Sequence, residues 1–387
     1  VSGMQKLKLM TVLGTRPEII RLSAVMRCAD RYFHHVMVHT GQNYAPELND
    51  VFFRDLQLRQ PDYYLEAVGT DLGETMGNII AKSYAVMSKE KPDALLILGD
   101  TNSALAAISA KRLKIPIFHM EAGNRCWDWN VSEMINRKIV DHISDINLPY
   151  TEHSRRYLLS EGIDGKTIFV TGSPMREVLD AALPQIERSD VLMRLGLEKG
   201  KYILVSAHRE ENIDLEDNFL SLMNAINHMA ETYGVPVIYS THPRSMKFIE
   251  KRGFQFHPLV RNIKPLGFFD YNRLQMNSLV VLSDSGTLSE ESAMLGFCGV
   301  LIRTSTERPE VLDKGTVVIG GISAANVRQA AELAIAMQHN QEPRALPADY
   351  ADLNVSVKVI KLIQSYTPIV NETVWLRSPL SAPQNDI

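Results

Sequence analysis

The chain has 387 residues, with 41 Lys and Arg against 45 Asp and Glu for a formal net charge of −4, and this near-balance, with no basic block and no heptads, argues against nucleic acid as a partner. No apolar run reaches the roughly 18 residues of a membrane span, and the segment ahead of the first strand lacks the layout of a signal peptide, so a cytoplasmic protein with no membrane partner is expected. Cys28, Cys126 and Cys298 are scattered and form no C-x-x-C spacing, which speaks against a disulfide framework or a zinc site, while the length favours two domains with a cleft between them.

Val1, Ser2 and Gly3 precede Met4 and read as an expression scar outside the fold. From there, short apolar runs alternate with segments of helical period. The runs are LKLMTVLG (7–14), HVMVHTG (35–41), DALLILGD (93–100), PIFHMEA (116–122), DINLPY (145–150) and IFVTG (168–172). Near-continuous hydrophobic strands separated by helices predict a parallel sheet covered on both faces. The pattern restarts at YILVSAH (202–208) and continues through VPVIYSTH (235–242), SLVVLSD (278–284), GVLIRT (299–304) and TVVIGG (316–321). The fold class is therefore α/β, with two doubly wound Rossmann-like domains at 4–175 and 176–354. The helical pattern within 355–387 either finishes the second domain or crosses back to the first, and the last ten residues read as a frayed tail.

Ligands of an open parallel sheet bind beyond the carboxyl ends of its strands. The first domain offers Gly14-Thr15-Arg16, Gly41-Gln42, Gly99-Asp100 and Glu121-Ala122-Gly123 there; the second offers His208-Arg209, His242-Pro243-Arg244, Asp284-Ser285-Gly286 and Arg303. With the two edges facing, carboxylates of one half would meet His and Arg of the other, a setting for an anionic substrate with proton transfer at its far end. In GTRPEII, Thr15 is an expected N-cap and Pro17 falls in the first turn, so Arg16 lies where helix amides favour an anion; alone, it also reads as a surface arginine. In SDSGTLSEESAMLG, Ser285 is the expected cap, Gly286 permits close backbone approach, and the amides of 285–287 form a diphosphate cradle, with Glu291 in reach of ribose hydroxyls. A merely well-capped helix is the plainer alternative, as a structural histidine is for His208. Arg303 and Arg308 are residues of the kind that grip phosphate or carboxylate bidentately. Asp100, Glu121 and Glu133 are expected to share one site, raising one another's pKa values until one group can exchange a proton near neutrality. No clustered His or Cys ligands stand at these strand ends, so no metal is expected; without G-x-G-x-x-G, no redox cofactor is either.

These motifs, GTRPEII, LGDT, EAG, SEMINR, HRE, SDSG…EE and TERPE, resemble in order and spacing those of the non-hydrolysing UDP-N-acetylglucosamine 2-epimerases, over about residues 7–366. That family shares its two-domain fold with the GT-B glycosyltransferases. The resemblance implies catalysis by Asp100, Glu121, Glu133 and His208, and a nucleotide-sugar site lined by Arg16, Arg21, Tyr271, Ser285, Gly286, Thr287, Glu291 and Arg308. It also implies a UDP-sugar substrate, UDP trapped as an intermediate, no cofactor and a homodimer.

The chain departs from the family pattern in several places. Arg21 stands where Lys is usual, Leu266 where a nucleobase-side Gln is usual, and Thr287 where Gly is; Asn43 and Tyr44 follow Gly41-Gln42 in place of a His-led run that carries allosteric contacts in bacterial members. EAGNRCWDWN replaces EAGLRTGD. The run EAGNRC…INRKIVDHISDINLPY is similar to the branch that makes UDP-N-acetyl-L-fucosamine from UDP-2-acetamido-2,6-dideoxy-β-L-talose for capsule or O-antigen. Trp127 or Trp129 could meet the 6-methyl group of such a sugar, or serve only in packing. The alternatives are a UDP-N-acetylglucosamine 2-epimerase making UDP-N-acetylmannosamine, a hydrolysing epimerase, a GT-B glycosyltransferase, and a non-catalytic nucleotide-sugar sensor.

Overall fold

The computed structural model describes residues 6–41, 46–129 and 131–377, so the calls on Gln42, Asn43 and Tyr44, on the first residues and on the tail after Arg377 lie outside the described residues. The chain forms two compact units. Unit 1 contains Val1–Asn124, Ser132–Val178 and Asp352–Ile387; unit 2 contains Arg125–Val131 and Leu179–Ala351.

Unit 1 is built on strands β1 (Lys8–Leu13), β2 (His34–His39), β3 (Tyr63–Tyr64), β4 (Ala94–Leu98), β5 (Ile117–Met120) and β6 (Ile146–Leu148), all parallel in the order β3-β2-β1-β4-β5-β6. Alternate residues of each strand enter opposite faces. Met10, Val12, Val36, Val38, Leu95 and Ile97 join one core cluster, while Leu9, Leu13, Met37 and Leu96 are buried as well, so helices cover both faces and the strands read as unbroken apolar runs.

Unit 2 repeats the plan with β7 (Ile203–Ser206), β8 (Val237–Ser240), β9 (Val260–Ile263), β10 (Val280–Ser283), β11 (Gly299–Leu301) and β12 (Val318–Ile319), ordered β12-β11-β10-β7-β8-β9 and again parallel. Ile203, Val205, Val280 and Leu282 face one core; Leu204 and Val281 face the other. In each unit the first strand lies between the second and the fourth, so the crevice where the order reverses opens between the ends of β1 and β4, and between those of β7 and β10. Two doubly wound Rossmann-like sheets stand as the sequence predicts.

Three strand assignments change. IFVTG is not a strand: it follows β6 through Phe169 N to Asn147 O and Thr171 N to Pro149 O, each 3.0 Å, with one isolated bridge at Ile168. Two edge strands escape the reading. β3 is only two residues long, and β9 has the sequence VRNI with Arg261 exposed, because an edge strand needs no continuous apolar run. The helix Val355–Thr373 packs on the helix Arg16–Tyr32 of unit 1. Ser356 anchors it, its N and Oγ donating to Glu177 at 3.0 and 2.5 Å. No helix among the described residues is long and apolar enough to cross a membrane.

Candidate active site

In unit 1, the chain leaves β1 through Gly14 and enters the helix Arg16–Tyr32 with Thr15 as N-cap and Pro17 in the first turn, as GTRPEII predicts. Glu18 completes a capping box. Its Oε2 accepts from Gly14 N at 3.0 Å, Thr15 N at 2.8 Å and Thr15 Oγ1 at 2.8 Å. Burial pushes this carboxyl up to about 7, against the opposing pull of Thr15, Gly14 and Thr101. The Arg16 guanidinium lies 5.4 Å from the Phe52 ring centre.

Arg21, further along the same helix, donates from Nη1 to Glu121 Oε2 at 2.7 Å. Glu121 follows β5 with φ +58°, a left-handed conformation that a non-glycine residue holds at some expense and that marks turns built for a purpose. Its other oxygen, Oε1, lies 3.5 Å from Arg137 Nη2, and the same nitrogen bonds Asp100 Oδ2. Asn136 Nδ2 adds bonds to Asp100 O and Asn102 Oδ1, both 3.0 Å. The order Arg21, Glu121, Arg137, Asp100 alternates in charge across the switch point. Asp100 and Glu121 therefore do not press bare on each other, as three crowded carboxylates would; Arg137 stands between them.

Glu133 opens the helix Glu133–Ile143 that supplies Asn136 and Arg137, three and four positions on and hence on the same face. Its half-buried carboxylate accepts from Ser132 Oγ at 3.1 Å. It shares this helix with Arg137, the arginine that contacts both Asp100 and Glu121. Beneath the two strand-end turns lies a wholly buried pair: His119 Nε2 bonds Gly99 O at 2.7 Å, and Nδ1 is 2.9 Å from Asp141 Oδ1 as an ion-pair contact without directed hydrogen-bond geometry. Asp141 Oδ2 accepts from Gly123 N at 3.0 Å. Gly123 holds φ +78°, and a side chain there would also strike Ser154 O, so this turn requires glycine.

In unit 2, Asp284 after β10 is fully buried and gathers the turn after β7. It accepts from His208 N at 3.0 Å, Arg209 N at 2.9 Å and Asn212 Nδ2 at 3.1 Å. The His208 ring is 45% exposed, with Nδ1 3.5 Å from Asp284 Oδ1, which leaves Nε2 as the nitrogen open to a ligand. Ser285 is not the helix cap: Gly286 is, at the start of Thr287–Leu295, while Ser285 Oγ accepts from Thr287 N at 3.3 Å and pairs with Thr287 Oγ1 at 2.8 Å. Gly286 makes room for side chains, since a Cβ there would lie 3.1 Å from Glu307 Oε1. Arg308 joins this turn through Nε to Gly286 O at 3.0 Å, and its Nη2 is 3.5 Å from Glu290 Oε2.

Glu291 is buried and takes a 2.6 Å bond from Gln275 Nε2. Tyr271 stands close by: burial first, then the Glu291 charge, push its phenol up, against a bond to Ser206. Arg303 Nη1 and Arg209 Nη2 bind the two oxygens of Glu307, at 2.8 and 3.1 Å.

Unit 1 thus links Asp100, Glu121 and Arg21 through Arg137, with Glu133 bonded to Ser132 on the same helix as Arg137; unit 2 gathers Ser285, Gly286, Thr287 and Arg308 at one turn and Tyr271 near Glu291. Asn136, Arg137, His119, Asp141, Gln275 and Glu307 have no role in the sequence reading. For Asn136 and Arg137 the signal was available, because SEMINR sets them one helical turn beyond Glu133. Trp127 and Trp129 are exposed and Trp127 holds φ +60°, so neither is a core residue. Among the described residues, no group of three or more His, Cys, Asp or Glu is placed to hold a metal ion.

Comparison with known proteins adds the following. A family model described as UDP-N-acetylglucosamine 2-epimerase matches residues 27–364. A solved UDP-N-acetylglucosamine 2-epimerase from Rickettsia bellii is 43% identical, superposes with a TM-score of 0.89, and covers 96% of this chain and 100% of its own. The Methanocaldococcus jannaschii UDP-GlcNAc 2-epimerase, solved with UDP-GlcNAc and UDP, is 30% identical with a TM-score of 0.87 over 93% of this chain and 100% of that one. A UDP-2,3-diacetamido-2,3-dideoxy-D-glucuronate 2-epimerase of Pseudomonas aeruginosa is 32% identical over 85% of this chain and 92% of its own length.

Proposed function

This chain belongs to the UDP-N-acetylglucosamine 2-epimerase family and is a UDP-sugar 2-epimerase, and from that premise we propose that its substrate is UDP-2-acetamido-2,6-dideoxy-β-L-talose, converted to UDP-N-acetyl-L-fucosamine for a surface polysaccharide. The enzyme works in the cytoplasm as a homodimer in this reading.

The reaction runs by elimination and re-addition. A carboxylate removes the C2 proton while the C1–O bond to UDP breaks; the electron pair of C2–H becomes the C1–C2 double bond of a glycal, and UDP departs with the C–O electrons. UDP then adds back at C1 while a carboxylic acid returns a proton to the opposite face of C2. No net oxidation occurs.

Asp100, Glu121 and Glu133 supply the base and the acid, and His208 acts beside the glycosyl oxygen. The turn Ser285-Gly286-Thr287 with Arg308 and Arg16 holds the diphosphate, and Glu291 with Tyr271 holds the nucleoside. Arg21 and Arg137 keep Glu121 and Asp100 oriented and offset the charge gathered there. The observation that carries the assignment of roles is the chain of contacts Arg21, Glu121, Arg137, Asp100 at the switch point of unit 1.

The sugar assignment is supported by EAGNRCWDWN, which departs from the D-gluco run immediately after Glu121. An apolar wall suited to a 6-methyl group rejects an added hydroxyl by only about 10²-fold, so weak turnover of UDP-N-acetylglucosamine accompanies this reading. The second reading, UDP-N-acetylglucosamine itself as substrate, is favoured by what the Rickettsia bellii and Methanocaldococcus jannaschii relatives are called. Measuring kcat/KM for both UDP-sugars on one preparation separates the two: a preference of about tenfold or more for the 6-deoxy-L-talo sugar is expected, and a preference for UDP-N-acetylglucosamine reverses the assignment.

A further inference from the structure

We propose that Glu18 is a positioning residue for substrate binding: by gathering Gly14 N, Thr15 N and Thr15 Oγ1 on one carboxylate oxygen, it fixes the turn after β1 that presents Arg16 to the anionic end of the UDP-sugar. The inference rests on the function proposed above and adds to it a residue outside the expected site.

Capping alone does not account for the arrangement. A capping box needs a glutamate that reaches back to the N-cap amide, and a solvent-exposed one suffices. Glu18 is 1% exposed, and it takes an additional donor, Gly14 N, from the residue before the cap. Burying a carboxylate is unfavourable unless something is gained by it. The two oxygens are also loaded unequally. Oε2 receives three donors, whereas no bond of standard geometry reaches Oε1, and the buried Thr101 hydroxyl, next in sequence to Asp100, acts on the carboxyl without making one. A proton placed on Oε1 disturbs none of the three bonds, yet it removes the charge that strengthens them.

The carboxyl accordingly titrates at about 7, raised by burial. The groups acting on it are Thr15, Gly14 and Thr101. Other titratable side chains include Arg16 and Arg21, nearest in sequence on its own helix, Asp100 after β4, which is held by Arg137, and His39 at the end of β2, which burial keeps neutral down to about pH 4. As pH rises through 7 the three bonds become charge-assisted, and the turn carrying Arg16 is held more firmly.

The test is the pH dependence of KM for the UDP-sugar and of UDP affinity by calorimetry, from pH 6 to 8.5, in the wild type, Glu18→Gln and Thr15→Ala. Glutamine keeps the accepting oxygen and places an uncharged amide where the acid proton would sit, so it mimics the protonated form at every pH. The wild-type KM should fall by about threefold to tenfold with an inflection near 7, and the Glu18→Gln variant should stay flat at the low-pH value, with kcat changed by less than about threefold. Because the Thr15 hydroxyl lowers the Glu18 pKa, Thr15→Ala should move the inflection to higher pH. A Glu18→Gln variant that keeps the wild-type inflection, or matches the wild-type KM throughout, overturns the proposal. If that variant does not fold, an unmoved inflection in Thr15→Ala does so instead. Calorimetry with UDP requires no turnover, so failure of the epimerase reading and failure of the Glu18 proposal are read separately.

Discussion

Arg21 and Glu121, 100 residues apart in sequence, meet at 2.7 Å with side chains only 4% and 9% exposed. The pair joins the first helix of unit 1 to the end of β5 and helps to orient the Glu121 carboxylate. A buried pair broken on one side leaves an uncompensated charge, at a typical cost of about 3–5 kcal/mol, although Arg137 at 3.5 Å moderates that here. Arg21→Met is expected to lower kcat by about 10²-fold or more and to reduce thermal stability. Arg21→Lys retains the charge, and Lys is the residue the family pattern leads one to expect, so its kcat/KM should stay within about tenfold of wild type. Steady-state kinetics and thermal melting on both variants check this; equal losses in the two would remove the charge from the explanation.

Asp141 holds His119 with one oxygen and the Gly123 amide with the other, while His119 holds Gly99 O. The two turns that carry Asp100 and Glu121 are thereby linked from below. Asp141→Asn and His119→Gln should each lower kcat while leaving UDP affinity nearly unchanged. Their stability effects should be non-additive by about 1 kcal/mol or more, the mark of side chains that interact directly. Additive losses in a double-mutant cycle would show two independent packing residues.

Glu291 receives the Gln275 amide at 2.6 Å and influences Tyr271, which places three polar side chains together in the helix-bound part of unit 2. With a nucleoside role, Glu291→Ala should raise KM for the UDP-sugar by about tenfold and weaken UDP binding in calorimetry, with a smaller effect on kcat. The Gln275 amide loses one of its two acceptors as well, with Asn272 Oδ1 at 3.1 Å remaining; an unsatisfied buried donor costs about 1–3 kcal/mol, which melting would register. Unchanged UDP affinity would take Glu291 out of the nucleotide site.

The raised pKa of Glu18 also bears on stability. Its folded value of about 7 lies above the ordinary 4.5, so the folded protein holds an extra proton between those values. The corresponding stabilisation is fully present below about pH 4.5 and is lost as pH rises to about 7, with an upper size on the order of 3 kcal/mol. Melting temperature should therefore fall over this interval more steeply in the wild type than in Glu18→Gln. Parallel curves would mean that Glu18 is already ionised at pH 5.

The sequence exposes most of the fold because parallel strands buried on both faces are continuous apolar runs, and β1, β4 and β10 are of this kind. It hides β3 and β9, where shortness or an exposed edge removes the pattern, and it overstates IFVTG, whose composition suits a strand but whose pairing with β6 amounts to a single bridge. Strand ends reveal Asp100, Glu121, His208 and Asp284 by position alone. The partners of those residues are harder to see, since Arg21 and Arg137 reach Glu121 from different helices and only tertiary packing brings them there. The sequence points to Ser285 in place of Gly286 as the cap for a local reason: a serine two residues before a helix bonds the Thr287 amide whether or not it is the cap.

The central claim is that this chain inverts C2 of a UDP-sugar through proton removal and return. Its most direct test is incubation of the purified protein with UDP-2-acetamido-2,6-dideoxy-β-L-talose, and separately with UDP-N-acetylglucosamine, in deuterated water, followed by proton NMR at C2. The account predicts deuterium at C2 in both epimers of at least one donor, growing in with the interconversion and with no lasting accumulation of free UDP. No deuterium at C2 with either donor, or steady release of UDP with glycal or free sugar, would contradict it.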